Sequence, residues 1–427
     1  MGIVVIVFLL LLLFGMPVAF AIGISGAVFF VVTPGIPFPI IVQKVVSSSQ
    51  SFTLLAIPLF IFAGNLMNNT GITSRLVKLS NVLTGHMYGN LGQVSCVLST
   101  LMGGVSGSAN ADAAMECRVL GPEMTKRGYA KGYSGAVNGV TSLITATIPP
   151  SMGLIIYGSV GEVSIGRLFA GGFVPGFMMM AALMFTVRLT ARKRGYTPER
   201  NRPATLSEIG KASIDCIWAL LFPVILIVGI RFGVFTPSES GAFACMYAIF
   251  VGVFIYKELT WKVFFMTLRD TARDIGVIMI LVSLSGIFGY GIVYDRIPQA
   301  MAGFLVNITT NPYLMQFIII LLLVFCGMFI ETTVIALLLT PILLPVVLAI
   351  GVDPVQFGLV MMTVTTMGIM TPPVGIALYT TSTIMGCKPE ETAKESVPFI
   401  IAVLVVVTIC IFFKDLVLFI PNLIFGK

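Results

Sequence analysis

The stretch that decides the fold is GGVSGSANADAAM, at residues 103 to 115. Between Gly103 and Asp112, three glycines and six other small or polar residues interrupt an apolar pattern that resumes afterwards. A helix is costly to hold over such residues. Non-helical backbone at membrane depth is tolerated only where protein or a water-filled cavity satisfies it. The stretch therefore predicts a broken helix inside a membrane protein.

The rest of the chain agrees with a membrane setting. The 427 residues are 57% hydrophobic and 10% charged, and the mean hydropathy is +1.03. Apolar windows of about 17 residues or more recur from Met1 to Ile424, which is close to the length that crosses a bilayer as a helix. This composition excludes a soluble fold and predicts an all-α polytopic membrane protein with many crossings.

Several functions are excluded by what the sequence lacks. The seven cysteines lie singly without a C-x-x-C pair, His86 is the only histidine, and there is no phosphate-binding G-x-x-x-x-G-K-[ST] loop. We therefore expect no cofactor, no transition-metal site, no ATP hydrolysis and no enzyme activity. The net charge of +7 comes from short connections between apolar segments, which indicates topology and not nucleic-acid binding.

The order of segments predicts two similar halves. In the first half we expect one helix over residues 2–32, an interfacial arm over 36–50, a re-entrant hairpin over 52–87, and helices broken near 106–112 and 149–151. In the second half we expect an amphipathic stretch at 258–273, a hairpin at 274–305 broken at Gly286, Gly289 and Gly291, and breaks at 331–333 and 371–373.

A shift of 223 residues supports the repeat. It lays residues 108–150 on 331–373 without a gap, and five of the eight identities are prolines and glycines that determine the backbone. Residues 124–131 carry three basic side chains, whereas the equivalent 347–354 carry only Asp353, so the two loops are predicted to face opposite sides. This pattern predicts inverted-topology repeats at 1–190 and 214–427, joined by a cytoplasmic linker at 191–213.

The two central breaks are candidate cation sites. Freed carbonyls with Ser106, Ser108, Asn110 and Asp112 offer hard oxygen ligands suited to Na⁺, and one buried carboxylate would balance one cation. Glu331, Thr332 and Thr333 occupy the same place in the second half. An ionisable group inside an apolar segment costs enough free energy to indicate a functional role. The alternatives are a loop at the membrane face for the first and a helix-capping cluster for the second.

Four further residues are candidate substrate ligands. Arg118 and Arg296 lie near proposed breaks, and an arginine grips a carboxylate bidentately. Ser151 follows a Pro-Pro break, and Thr366 belongs to a run of hydroxyls that line a polar path in this hypothesis. Interfacial snorkelling is the alternative for both arginines, and hydrogen bonding within its own helix is the alternative for Thr366.

Longer motifs resemble a known family. They are PLFIFAGNLM at 58–67, GGVSGSANADAAM at 103–115, GPEMTKRGY at 121–129, IPPSMGLIIYG at 148–158, FTPSES at 235–240 and TPPVG at 371–375. Together they resemble the large membrane subunit of tripartite ATP-independent periplasmic (TRAP) transporters, of the DctM/SiaM type. The resemblance covers essentially the whole chain. One departure is Arg118, where the family pattern has an apolar residue, and it puts the substrate in doubt.

The resemblance implies a function and partners. It implies an elevator-type importer of organic acids, such as C4-dicarboxylates or sialic acid, driven by a Na⁺ gradient across the bacterial inner membrane. The implied partners are a periplasmic substrate-binding protein and a small four-helix membrane subunit, expected as a separate chain because Met1 leads directly into a helix. It also implies that the GSANAD segment and residues 331–333 hold sodium near the hairpin tips.

Three other readings compete with this one. A stand-alone ion-coupled carboxylate carrier would share the inverted-repeat design without needing a binding protein. A redox or quinone-type membrane anchor would require paired histidines or clustered cysteines, and an intramembrane enzyme would require a paired catalytic constellation. Neither of the last two patterns is present in the sequence.

Overall fold

A computed structural model describes residues 1–50 and 52–426, which contain helices and no strand. The first half holds α1 (Gly2–Leu13), α2 (Val18–Val32), α3 (Pro39–Ser49), α4 (Ala56–Asn68), α5 (Ile72–Thr84), α6 (Asn90–Gly103), α7 (Ala109–Val119), α8 (Gly121–Lys126), α9 (Lys131–Thr147), α10 (Met152–Val160) and α11 (Ile165–Lys193). The second part holds α12 (Leu206–Asp215), α13 (Ile217–Arg231), α14 (Pro237–Phe250), α15 (Trp261–Tyr294), α16 (Ile297–Ile308), α17 (Pro312–Gly327), α18 (Thr332–Ala349), α19 (Pro354–Gly368), α20 (Ile376–Met385), α21 (Pro389–Phe412) and α22 (Lys414–Phe425).

These helices form a multi-pass membrane protein. Within the described residues, five helices are long and apolar enough to cross a bilayer, and counting each of two bent pairs as one span raises the number to seven. One of those pairs is α9 with α10, which meet at an angle of 44° around the predicted break at residues 149–151. The prediction of an all-α polytopic fold with broken helices is confirmed.

The N-terminal region differs from the prediction of one helix over residues 2–32. It forms two helices, because Gly15 takes a left-handed φ of 77° and Pro17 cannot donate a helical N–H. The two helices run in opposite directions along α15. The Phe8 ring of α1 contacts the Phe288 ring in a tilted arrangement, and Phe29 of α2 contacts Tyr294.

The predicted hairpin over residues 52–87 is also wrong. Helix α4 packs mainly on α14 and α15, whereas α5 packs mainly on α6 and α12, so the two helices have different partners. The hairpin is instead made by α6 and α7, whose tip is residues 104–108. Between the two helices, the Ser99 hydroxyl on α6 donates to Glu116 on α7 (2.6 Å).

Both chain ends of this hairpin contact the same segment, the residues that follow α11. The Gly89 N–H, just before α6, donates to the Tyr196 carbonyl (3.1 Å). The Arg127 guanidinium, just after α8, lies 3.3 Å from the Glu199 carboxylate. Both ends of the hairpin therefore meet the segment that follows α11, and the chain enters and leaves on the same side.

The second predicted hairpin, at 274–305, is also wrong, because the helix is not broken where the sequence predicts. Helix α15 continues through Gly286, Gly289 and Gly291, and two of these glycines, Gly286 and Gly291, allow neighbouring elements to pack closely instead of ending the helix. A Cβ on Gly286 would lie 1.8 Å from the Ser48 hydroxyl of α3. The chain turns only at Arg296, which has a left-handed φ of 51°. The second hairpin is made by α17 and α18.

The helix boundaries follow the 223-residue shift. Ala109 and Thr332 start α7 and α18, and Lys131 and Pro354 start α9 and α19, so both pairs are separated by 223 positions. Each half thus contains a helical hairpin followed by a broken helix. The predicted boundaries of the repeats, at residues 190 and 214, stay a prediction. The matching helix starts show which helices of the two halves are equivalent, but they do not show where the first repeat ends.

Candidate functional site

The tip of the first hairpin contacts the break between α9 and α10. Gly107 has a left-handed φ of 67°, and a Cβ built on it would lie 2.4 Å from the Pro150 carbonyl oxygen. Only glycine fits this close approach. The approach places carbonyl groups of the tip beside carbonyl groups that the prolines have released from the helix.

The second half repeats the contact. The Gly375 N–H, just before α20, donates to the Met328 carbonyl at the tip of the second hairpin (3.2 Å). A Cβ on Gly327 would lie 3.0 Å from the Thr365 carbonyl oxygen of α19. Each half therefore brings a hairpin tip and a helix break together, and both junctions expose backbone groups that no regular helix satisfies.

A cavity of about 60 Å³ lies between the two junctions. It is lined by the first residues of α7, α10, α18 and α20, including Asn110, Gly153, Thr332 and Ile376. Helix N-termini carry a partial positive charge and free N–H groups, which makes them binding sites for anions. The described residues that line this cavity include no lysine or arginine.

A second cavity, of about 300 Å³, continues from the first. The two share Ser108, Asn110, Met152 and Glu331. The larger cavity extends between α4 and α15. Its other polar lining residues are Asn65, Asn68, Ser106 and Asp274.

Most of the predicted site residues meet at these cavities. Ser106, Ser108 and Asn110 come from the first hairpin, Glu331, Thr332 and Thr333 from the second, and Ser151 and Thr366 from the broken helices. The Asn110 Oδ1 and Thr332 Oγ1 atoms are buried and have no hydrogen-bond partner, so both are available to a ligand.

Two of these residues also have structural partners. The Ser151 Oγ accepts from the Leu154 N–H (3.4 Å) and so caps α10. The Thr366 hydroxyl donates to the Met362 carbonyl of its own helix (2.6 Å). Thr363 and Thr365 likewise bond their own helix, as the alternative interpretation of the hydroxyl run expected.

The two predicted arginine ligands lie elsewhere. Arg118 is exposed in the last turn of α7, away from the tip, and Arg296 is exposed at the turn before α16. Neither lines either cavity. An arginine clamp on the substrate carboxylate by these residues is therefore not supported. The cavities are lined instead by the N-terminal ends of helices at both breaks.

Asp112 is buried behind the first tip and lines neither cavity. Its Oδ2 accepts a hydrogen bond from Thr145 of α9 (2.5 Å). One turn further along α7, Glu116 is fully buried and accepts from Ser95 (2.5 Å) and Ser99 (2.6 Å) of α6. Neither carboxylate belongs to a salt bridge among the described residues.

Sequence reasoning missed Glu116, although a signal for it is present. Three neighbouring helices each carry a polar pair spaced by four residues, which places each pair on one helix face. The pairs are Ser95 with Ser99, Asp112 with Glu116, and Thr141 with Thr145. The coincidence of three such pairs indicates a shared polar interface between α6, α7 and α9.

Paired hairpins, broken helices and a central cavity of helix N-termini define a multi-pass membrane transport protein. Within that class, the chain belongs to the family described as tripartite ATP-independent periplasmic transporter, DctM component, whose model matches residues 5–416. The family expected from the sequence motifs is confirmed.

Named relatives align along nearly the whole chain. The sialic acid TRAP transporter large permease protein SiaM of Vibrio cholerae is 36% identical over 97% of each chain. The 2,3-diketo-L-gulonate large permease YiaN of Escherichia coli is 34% identical over 95% of each, and the C4-dicarboxylate large permease DctM of Rhodobacter capsulatus is 30% identical over 97% of each.

A solved structure shares the fold. The crystal structure of the Alcanivorax borkumensis YdaH transporter, described as having an unusual topology, superposes with a TM-score of 0.63. The match covers 88% of this chain and 87% of the other at 11% identity. At that identity the likeness concerns the fold alone.

Proposed function

We propose that the chain is the large permease of a sodium-coupled transporter that imports an organic acid across the bacterial inner membrane. The observation that carries the proposal is the convergence of four helix N-termini on one cavity without a lysine or arginine in its lining. These N-termini bind the substrate carboxylate through backbone N–H groups and the helix dipoles. A basic side chain is not needed for this recognition.

Sodium binds at the two junctions of hairpin tip and helix break. In the first half its ligands are carbonyl groups near Gly107 and Pro150 with the hydroxyls of Ser106 and Ser108. In the second half they are carbonyl groups near Met328 with Thr332 and Thr333. Two features support this assignment: the close tip-to-break contacts and the preference of alkali cations for released carbonyl oxygens.

Sodium binding and substrate binding are coupled through the tips. The same tip residues contribute to the cation junction and to the N-terminus that faces the substrate, so ordering the tip by sodium completes the anion site. Coupling of this kind is reciprocal, and each ligand raises the affinity of the other by the same factor.

Transport follows an elevator mechanism in this proposal. The two hairpins and the broken helices α9–α10 and α19–α20 move as one unit. The outer helices, including α3 and the last turns of α15, form a frame anchored in the lipid. A small membrane subunit contacts this frame, and a periplasmic binding protein delivers the acid. The extensive packing of α3 on α15 supports a rigid frame.

Uptake by proteoliposomes tests the proposal. Vesicles are prepared with the permease and its small subunit, and uptake of labelled acid is measured with a sodium or a potassium gradient, each with and without the binding protein. We expect uptake only with sodium and the binding protein together. Uptake that needs sodium but no binding protein would favour the stand-alone carrier instead, and equal uptake in potassium would contradict sodium coupling.

A further inference from the structure

The polar interface between α6, α7 and α9 is replaced by apolar residues in the second half. The 223-residue shift places its α7 and α9 members on apolar residues or glycine: Asp112 on Ile335, Glu116 on Leu339, Thr141 on Val364 and Thr145 on Gly368. Helix α17 packs on α19 as α6 packs on α9, and it is apolar throughout residues 317–326. Helix packing of this kind therefore does not require buried carboxylates.

Glu116 is a buried carboxylate without a cation. It is fully buried, lines neither cavity and belongs to no ion pair in the part of the chain that the structure describes. Asp112, one turn nearer the tip, is also buried and has the same charge. Two like charges this close, away from water, are costly unless one carboxylate is neutralised.

The neighbouring elements supply no positive charge to Glu116. Besides Asp112, the titratable groups that face it are the buried thiols of Cys96 on α6 and Cys117 on α7. Helices α6 and α20 contain no Asp, Glu, Lys, Arg or His. The remaining charged side chains of the packed elements are partly or fully exposed: Arg118 on α7, Glu123 and Lys126 on α8, and Lys131 on α9.

The hydroxyl groups around Glu116 satisfy it with and without a proton. The charged form accepts from Ser95 (2.5 Å) and Ser99 (2.6 Å). In the protonated form, the Glu116 O–H donates to the Ser95 oxygen, and the Ser95 hydroxyl then donates to Thr141 (2.7 Å). The Thr141 hydroxyl donates in turn to the Val137 carbonyl (2.8 Å). A carboxyl group that has hydrogen-bond partners in both forms binds and releases a proton reversibly.

We propose that Glu116 is a proton-binding site and that sodium at the first hairpin tip displaces its proton to solvent. Without sodium, protonated Glu116 and charged Asp112 carry one negative charge together. With sodium, two charged carboxylates and one cation carry the same net charge. The exchange therefore keeps the charge of the buried hairpin constant. This inference rests on the sodium coupling proposed above and adds a proton that is exchanged for sodium.

The distance between the two sites sets the size of the effect. Glu116 lies seven residues after Ala109, the first residue of α7, which is about 10 Å along the helix axis. At that distance, with an effective dielectric constant of about 20, one unit charge changes the proton affinity by roughly tenfold. Since linkage is reciprocal, protonation of Glu116 weakens sodium binding by the same factor.

Infrared difference spectra between acidic and alkaline potassium buffer test the proton site. The full-length protein is measured in lipid nanodiscs. We expect the carbonyl band of a buried, protonated carboxylic acid in the wild type and its loss in Glu116→Gln and in Glu116→Leu, which copies Leu339 of the second half. Glu390→Gln is the control, because Glu390 is exposed in the first turn of α21 and lines neither cavity.

The wild type alone supplies a further check, because added sodium chloride should remove the band. Absence of the band, its persistence in both Glu116 variants, or its persistence in saturating sodium contradicts the proposal.

Calorimetric titration with sodium chloride in a constant potassium background tests the exchange. Between about pH 6 and about pH 8, we expect the sodium affinity of the wild type and of Glu390→Gln to rise roughly tenfold. The affinity of both Glu116 variants should stay nearly constant. Repeating the titrations in buffers of different ionisation enthalpy measures the protons released.

The outcomes separate the exchange from the sodium coupling on which it rests. Sodium binding that keeps its full pH dependence in both Glu116 variants, or that releases no proton from the wild type, overturns the exchange and leaves sodium coupling in place. Absence of sodium binding at both pH values overturns sodium coupling and the exchange together.

Discussion

At the scale of single residues, the first junction depends on one glycine. Gly107 needs a left-handed backbone, and it also has no room for a side chain against the Pro150 carbonyl. Gly128 shares the left-handed φ (79°) but has open space around its Cα. The two positions therefore separate the cost of the conformation from the cost of the contact.

We predict that Gly107→Ala abolishes sodium-dependent uptake and lowers thermal stability more than Gly128→Ala. The conformation costs about 1–2 kcal/mol in both variants, and only Gly107→Ala must also push the hairpin tip off the break. Uptake and melting temperature of the two purified variants measure the difference. Equal effects would show that the tip contact is not required.

A second residue-scale prediction concerns the buried carboxylates. Asp112→Asn removes the negative charge nearest the first tip, so we expect a higher sodium requirement and slower uptake with normal membrane insertion. Glu116→Gln is the comparison, because Glu116 lies one turn further from the tip and should affect sodium dependence less. Uptake against sodium concentration measures both. Normal uptake with unchanged sodium dependence in Asp112→Asn would rule out its role.

At the scale of elements, the second hairpin relies on close backbone packing. Gly327 ends α17 and Gly368 ends α19, and a Cβ on Gly368 would lie 2.4 Å from the Gly327 carbonyl carbon. Backbone atoms have little freedom to move away, so the two helices approach here only because both residues are glycine.

We predict that Gly368→Ala separates α17 from α19 and destabilises the protein by about 1–3 kcal/mol, the usual cost of overpacking. Gly276→Ala is the control, because Gly276 lies inside α15 with no atom within 4 Å of an added Cβ. There the change should be neutral or stabilising by roughly 0.5–1 kcal/mol through helix propensity. Thermal unfolding in detergent compares them, and a Gly368→Ala protein as stable as Gly276→Ala would refute the packing argument.

At the scale of the whole molecule, the two halves share the smaller cavity, but each half has its own junction of hairpin tip and helix break. The smaller cavity takes lining residues from both hairpins and both broken helices. Any movement of one half relative to the other would change this lining. The proposed substrate site thus belongs to the assembled pair of repeats and not to either one.

We therefore predict reciprocal linkage between sodium and substrate. Raising sodium should lower the dissociation constant of the acid, and saturating acid should lower that of sodium by the same factor, which is typically about 5–150-fold. Calorimetric titrations in both orders measure the two factors, with potassium in place of sodium as the control. Unequal factors would mean that the ligands do not share one equilibrium, and factors of one would exclude coupling.

Much of the fold could be predicted from the sequence. The polytopic helical class, the breaks at 149–151 and 371–373, and the matching helix starts in the two halves all follow from composition and from prolines and glycines that act locally on the backbone. The second hairpin was misplaced because the sequence does not distinguish a glycine that ends a helix from a glycine that lets another helix approach. Gly286 lets α3 approach α15, and only the tertiary contact between Gly286 and α3 shows that this glycine does not end the helix.

The sequence by itself determined the membrane class, the family and most of the residues at the cavities, since these depend on residue type and spacing along the chain. Tertiary structure alone decided that α6 and α7 form the hairpin, that Arg118 and Arg296 stand away from the cavities, and that Glu116 is buried beside Asp112. The physical reason is that helix N-termini and buried polar partners act across distances in space that have no fixed relation to separation in sequence. Four helix starts, spread from Ala109 to Ile376, make one binding cavity only after the halves pack together.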